Sequence, residues 1–209
     1  MDIRPLVNNV LWNGMLAVIP VMLAYMIARI ARPRNKSLPR KSFICLLFLI
    51  WLAFLPNTCY LLTEWRHFLE NVDGNNLFLR SQYEHLMLVK LTAMGIFYFI
   101  YSGFGMMTFA LAIRPLARFA SKRGIEVKFW ACPFFMAMSL GVYLGLILRY
   151  NSWDLLAHPS AVWTTIVETG GRPLLMAFIG SFGVFLWMSY LAIDIWFDGL
   201  AERLGRAKK

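Results

Sequence analysis

Charge is scarce in this chain. Of 209 residues, 15% are Asp, Glu, Lys or Arg, against about 25% in an ordinary soluble domain. Apolar residues, glycine aside, make up 59%, more greasy surface than a water-soluble fold of this length could hide. A soluble globular domain is thereby excluded. Cysteine is scarcer still: Cys45, Cys59 and Cys132 all fall inside apolar stretches. Three thiols so widely spaced make neither a disulfide framework nor a zinc pattern, and they read as small core residues. There is no glycine-rich phosphate loop, nucleophile elbow, HExxH or CxxC, so the commonest enzyme signatures give no support. No internal repeat, low-complexity segment or soluble domain interrupts the pattern. Acids are few, 11 against 21 bases, for a net charge of +10. That excess does not point to nucleic acid, because the bases sit in alternate loops of a hydrophobic chain, where membrane topology is the simpler source. The expected partner is the lipid bilayer.

What remains is long hydrophobic runs. Five spans follow from window hydropathy, at about 7–28, 43–62, 86–113, 129–148 and 173–197. Each has about 20 residues or more, enough as a helix to cross a hydrocarbon core of about 30 Å. The expected fold is all-α, a polytopic transmembrane helical bundle with residues 1–209 as one membrane domain. The first span reads as a retained signal anchor, because its long apolar run continues into Arg29, Arg32 and Arg34 without a small-residue cleavage site.

Fifteen of the 21 bases lie on one side: Arg29 to Lys41, Arg114 to Lys128, and Arg203 to Lys209. The other side receives Arg4, Arg66, Arg80, Lys90, Arg149 and Arg172 together with seven of the 11 acids. The positive-inside rule then puts the N-terminus outside and the C-terminus in the cytoplasm. Trp65, Trp153 and Trp163 would anchor the outer interface, Trp130 and Trp196 the inner one. Within the spans, Ala137, Gly141 and Gly145, Gly103 and Gly105, and Gly180 and Gly183 mark places where helices can approach closely. Packing inside one chain is the simpler use of them, and a homodimer seam the other.

The two long outer loops, about 63–85 and 149–172, hold most of the unusual chemistry. The first contains a turn-like run from Asn71 to Asn76. In the second, Ser160 to Thr169, closed by Gly170 and Gly171, reads as a short interfacial helix. The second span ends in FLPNTCYLLTEWRH. On one continuous helix, Asn57, Tyr60, Glu64 and His67 would share an arc of roughly 80°. Pro56 just below should bend the helix and free the carbonyl of Leu52. Asn57 and Tyr60 either bond neighbouring helices or bind substrate. Glu64 and His67 either lie in the wet interface or do acid–base chemistry. Their Glu-x-x-His spacing could also hold a divalent metal, with His85 and His158 as further ligands; that is the less favoured use, and the cofactor stays open. The fourth span ends in LRYNSWD. There Asn151 or Ser152 could cap the next helix, Trp153 anchor at the headgroups and Arg149 pair with Asp154. Alternatively Arg149 holds a phosphate or carboxylate while Asp154 orients it or acts as a base. Lys90 either snorkels outward or joins that anion pocket. At the basic end, Asp194 is expected to be neutralised by Arg114 or Arg118.

These two motifs resemble a bacterial family of integral membrane proteins known only as a domain of unknown function, the domain of unknown function 1361 family. Leu55, Pro56, Asn57, Tyr60, Thr63 and His67 match its first motif, and Arg149, Asn151, Ser152, Trp153 and Asp154 its second. Glu64 stands where the family usually has Asp, which keeps the carboxylate. Leu146 stands where it often has Arg, which removes a charge. The resemblance implies a multi-pass protein of the bacterial cytoplasmic membrane and supplies no activity.

Two functional classes carry equal weight. One is an outer-face enzyme acting on a lipid-linked or other amphipathic envelope substrate, with Glu64, His67 and Asp154 catalytic and Asn57, Tyr60, Lys90, Arg149, Asn151 and Trp153 binding. The other is a non-catalytic membrane subunit that binds or assembles partner proteins. A small-solute transporter comes third, since only Pro20 and Pro56 interrupt spans near the midplane.

Overall fold

The computed structural model describes residues 4–32, 38–146 and 157–206. The described residues are almost all helical, joined by short turns and without strands. In chain order the helices are α1 (Arg4–Ala31), α2 (Leu38–Phe54), α3 (Pro56–Thr63), α4 (Trp65–Gly74), α5 (Leu77–Ser81), α6 (His85–Ser121), α7 (Val127–Leu146), α8 (Pro159–Gly170) and α9 (Pro173–Arg206). Four stretches are long and apolar enough to cross a membrane: Asn9–Ala31, Leu38–Gly74, His85–Ser121 and Pro173–Gly205. A shorter apolar helix, Phe129–Gly145, stands beside them. Large apolar side chains face outward along these helices, Phe99 at 73% and Leu174 at 82% exposure among them. Lipid is the solvent that tolerates such a surface, so the chain is a multi-pass membrane protein.

At 37 residues, α6 is about 55 Å long and serves as the axis on which α1, α3, α5 and α9 pack. A second layer forms where α7 lies against α9 and α3. Core side chains interlock around Trp51, Leu55, Phe109, Phe135, Val142 and Leu186. Trp51 Nε1 donates to the Ala112 carbonyl of α6 at 3.0 Å, the partner a buried indole needs in a dry core.

Three expectations are corrected. Of the cysteines, only Cys59 is buried, while Cys45 and Cys132 lie on outward faces; in lipid a small apolar thiol costs nothing there. The run from Asn71 to Asn76 is mostly helix. Asn71 and Asn75 Nδ2 donate back to the carbonyls of His67 and Asn71 at 2.7 and 2.9 Å, and the turn is confined to Asn75 and Asn76. Asn76 has φ 48°, a left-handed conformation that asparagine adopts more readily than most residues. Gly103, Gly180 and Ala137 border no close helix, the two glycines having nothing within 4 Å of an added Cβ and Ala137 facing outward. The short helix expected over 160–169 is present as α8.

Candidate functional site

The geometry of the site begins at Pro56. Leu55 stays helical, with φ −57° and ψ −41°, and its N–H donates to the Trp51 carbonyl at 2.9 Å. Beyond the proline the spiral tightens. The Thr58 N–H and hydroxyl both donate to the Leu55 carbonyl, at 3.1 and 2.7 Å. The helix is therefore interrupted at Pro56 without unwinding, and this pivot is where α3 begins.

That pivot wedges α3 between α6 and α7. On one flank an added Cβ at Gly105 would lie 2.7 Å from Leu61 Cβ and 2.9 Å from the Thr58 carbonyl, so the backbones meet where only glycine fits. Close by, the Ser102 hydroxyl donates to the Leu61 carbonyl at 3.4 Å. On the other flank an added Cβ at Gly141 would sit 3.2 Å from Pro56 Cγ, and one at Gly145 would fall inside the Tyr60 phenol. Pro56 and Tyr60 thus fit residue for residue against Gly141 and Gly145, both pairs four apart. Gly105, Gly141 and Gly145 serve packing within the chain.

Glu64 forms the joint between α3 and α4, with its side chain 25% exposed. His67, one turn on, is 49% exposed, with Nε2 at 4.0 Å from Glu64 Oε2. Its other ring nitrogen, Nδ1, is 3.1 Å from Glu70 Oε2. An ionised Glu70 can only accept, so Nδ1 donates to it, and Nε2 is the ring nitrogen on the side of Glu64. A carboxylate, an imidazole and a second carboxylate that orients the ring stand in sequence on one rim.

The helix face expected to carry four polar residues is split in two. Asn57, Tyr60 and Glu64 are half-buried, and His67 is exposed. Tyr60 turns into α7, and Asn57 makes no side-chain hydrogen bond among the described residues. Tyr98 and Tyr101 of α6 lie within electrostatic reach of Glu64, and Trp65, Phe68 and Tyr98 pack edge-on and tilted into an aromatic cluster. The Tyr101 hydroxyl is buried without a well-formed hydrogen bond, the Asn13 side chain of α1 standing beside it. Sequence reasoning missed Asn13, Glu70, Tyr98 and Tyr101. A signal existed for the tyrosines, since Tyr98, Tyr101 and Ser102 form a polar stripe at helical spacing in an apolar run.

Lys90, His85 and His158 are exposed. Among the described residues no three His, Cys, Asp or Glu side chains are grouped to hold a metal ion. Arg149, Asn151, Ser152, Trp153 and Asp154 lie outside the described residues. Beside the rim, Arg80 binds Glu84 through Nε and Nη2, both at 3.0 Å, and this guanidinium holds the Glu84 carboxyl below its ordinary range.

A second polar cluster occupies the other end of the bundle. Arg114 Nε stands 2.7 Å from Asp194 Oδ1, an ion pair without hydrogen-bond alignment. Asp198 binds both Arg114 and Arg118. The neutralisation of Asp194 is as expected; Asp198, one turn further along α9, was not foreseen as the bridge.

Residues 12–189 match a family described as a protein of unknown function, DUF1361. The chain belongs to that family. No curated protein matches it, and no solved structure does.

Proposed function

We propose that this member of the DUF1361 family is a five-span protein of the bacterial cytoplasmic membrane whose outer end carries an acid–base site. The site takes the polar headgroup of a lipid-linked or other amphipathic envelope substrate. In this reading α7 crosses as the fourth of the five spans, and the basic ends of α1, α6 and α9 face the cytoplasm, as the positive-inside rule requires.

The observation that carries the reading is the seat of Tyr60 in the niche at Gly145. It ties the first motif to the end of α7. In the sequence Arg149 follows Leu146, the last residue of α7, by three positions. This connectivity supports reading both motifs as one site. Glu64 serves as the base, half-withdrawn from water, and His67, oriented by Glu70, as its partner. Asn57, Tyr60 and Arg149 bind the headgroup, with Asp154 as second carboxylate and Lys90, Asn151 and Trp153 at the margin.

The test is complementation of a deletion strain with an envelope defect. Glu64→Gln and His67→Gln should each abolish function at unchanged protein abundance, because both side chains lie at a rim where folding depends little on their charge. Glu64→Asp, which keeps the carboxylate, should retain part of it. Full complementation by both amide variants at normal abundance would replace the enzyme by a non-catalytic subunit that assembles partner proteins.

A further inference from the structure

The basic end of the bundle contains a groove unrelated to the outer site. It has a volume of about 550 Å³ and runs between the ends of α1 and α6, within the usual range of about 300–1,000 Å³ for a ligand pocket. Tyr25 of α1 and Arg32 just past its end line it on one side, and Arg114 and Arg118 of α6 with Lys122 and Arg123 of the following turn on the other. Lys122 keeps helical backbone angles as the C-cap of α6, so positions 114, 118 and 122 repeat at helical spacing along one wall.

Most of this charge is not neutralised within the protein. Asp194 and Asp198 serve Arg114 and Arg118. Among the described residues no carboxylate pairs with Arg32, Lys122 or Arg123. Arg123 is fixed in place: its Nη2 donates to the Ala31 carbonyl at 3.0 Å, and its guanidinium lies 4.6 Å over the Phe119 ring. It retains its charge there and caps the end of α1. Topology accounts for bases at this end, but it requires no concave column of them around a cavity. The groove also continues into an apolar lane. Val18, Met22 and Tyr25 lie on successive turns of α1 and are 36%, 64% and 53% exposed.

We propose that this groove binds the phosphate of an anionic glycerophospholipid, with Arg32, Lys122 and Arg123 around the phosphate and the acyl chain along Val18 and Met22. Three unpaired cations converging on one cavity match a phosphate diester in charge and in donor number. The apolar lane favours a lipid over a free phosphate ion.

Native mass spectrometry of the purified full-length protein in detergent tests this, by titration with phosphatidylglycerol and, separately, with phosphatidylcholine. The protein should bind phosphatidylglycerol in preference. The double variant Arg32→Gln, Lys122→Gln should weaken that binding roughly tenfold or more. Both side chains are exposed, so helix content by circular dichroism should not change. A matched variant outside the groove, Arg29→Gln with Lys41→Gln, should bind as the unaltered protein does. Equal affinity for both lipids, an unaltered affinity in the groove variant, or the same loss in the matched variant would overturn the proposal. Displacement of phosphatidylglycerol by millimolar inorganic phosphate would assign the groove to a free phosphate compound instead of a lipid.

Discussion

At Gly145 a methyl group would occupy the space of the Tyr60 phenol, so Gly145→Ala must push the ring out or the helices apart. The expected loss is about 1–3 kcal/mol of stability, read by thermal unfolding in detergent. Tyr60→Ala in the same chain should recover part of it, because the two side chains share one volume. Additive losses would show that Tyr60 is not seated there. At the other end, Asp194→Asn leaves Arg114, only 13% exposed, without one of the two carboxylates that it binds. That should lower the melting temperature, corresponding to about 1–3 kcal/mol. An unchanged melting temperature would mean that Asp198 alone neutralises both arginines.

Elements matter because α3 sets the direction in which Glu64 points. Pro56→Ala restores an N–H for the Leu52 carbonyl and lets α2 run straight on, which turns Glu64 and Tyr60 away from their present neighbours. Complementation should fail while abundance stays close to that of the unaltered protein, and a regained hydrogen bond of about 1 kcal/mol should offset only part of the packing lost against Gly141 and Gly145. Intact function would remove the hinge from the account. Near the joint of α5 and α6, the Arg80–Glu84 pair predicts a pH effect of known sign. The Glu84 carboxyl is lowered in the folded protein, so the small stabilisation is present above the ordinary carboxylate range and is lost as pH falls through the lowered value. Both side chains are about half exposed, so Glu84→Gln should erase the effect without disturbing the fold.

The positions of these elements were only partly legible in the sequence. Hydropathy places the spans because twenty apolar residues have few alternatives to crossing lipid. It ends the third span at about 113, whereas α6 continues to Ser121, because Arg114 and Arg118 are neutralised by Asp194 and Asp198 from a helix eighty residues away. The hinge at Pro56 was readable from proline chemistry alone. Its consequence, Tyr60 turning into α7 while Glu64 comes within electrostatic reach of Tyr98 and Tyr101, depends on which neighbour offers a glycine, and periodicity carries no information about that. Asn71 and Asn75 read as turn formers, but their amides bond their own helix instead.

Across the whole molecule the two ends divide the labour. One holds the cationic groove and the arginine–aspartate bridge. The other holds Glu64, His67 and Glu70 at the joint of α3 and α4, near Tyr98 and Tyr101 of α6. If the basic end is cytoplasmic, a C-terminal reporter should be active only in the cytoplasm, and activity in an oxidising outer compartment would invert the topology. The account's central claim is that both motifs form one cleft open to the outside. Its most direct test is a cysteine pair, Glu64→Cys with Asp154→Cys, in a chain whose Cys45, Cys59 and Cys132 have been replaced. Intact cells are treated with a short, membrane-impermeant bifunctional thiol reagent. An intramolecular cross-link in intact cells is the result this account predicts. A cross-link that appears only after lysis, or two cysteines labelled separately and never joined, would contradict it.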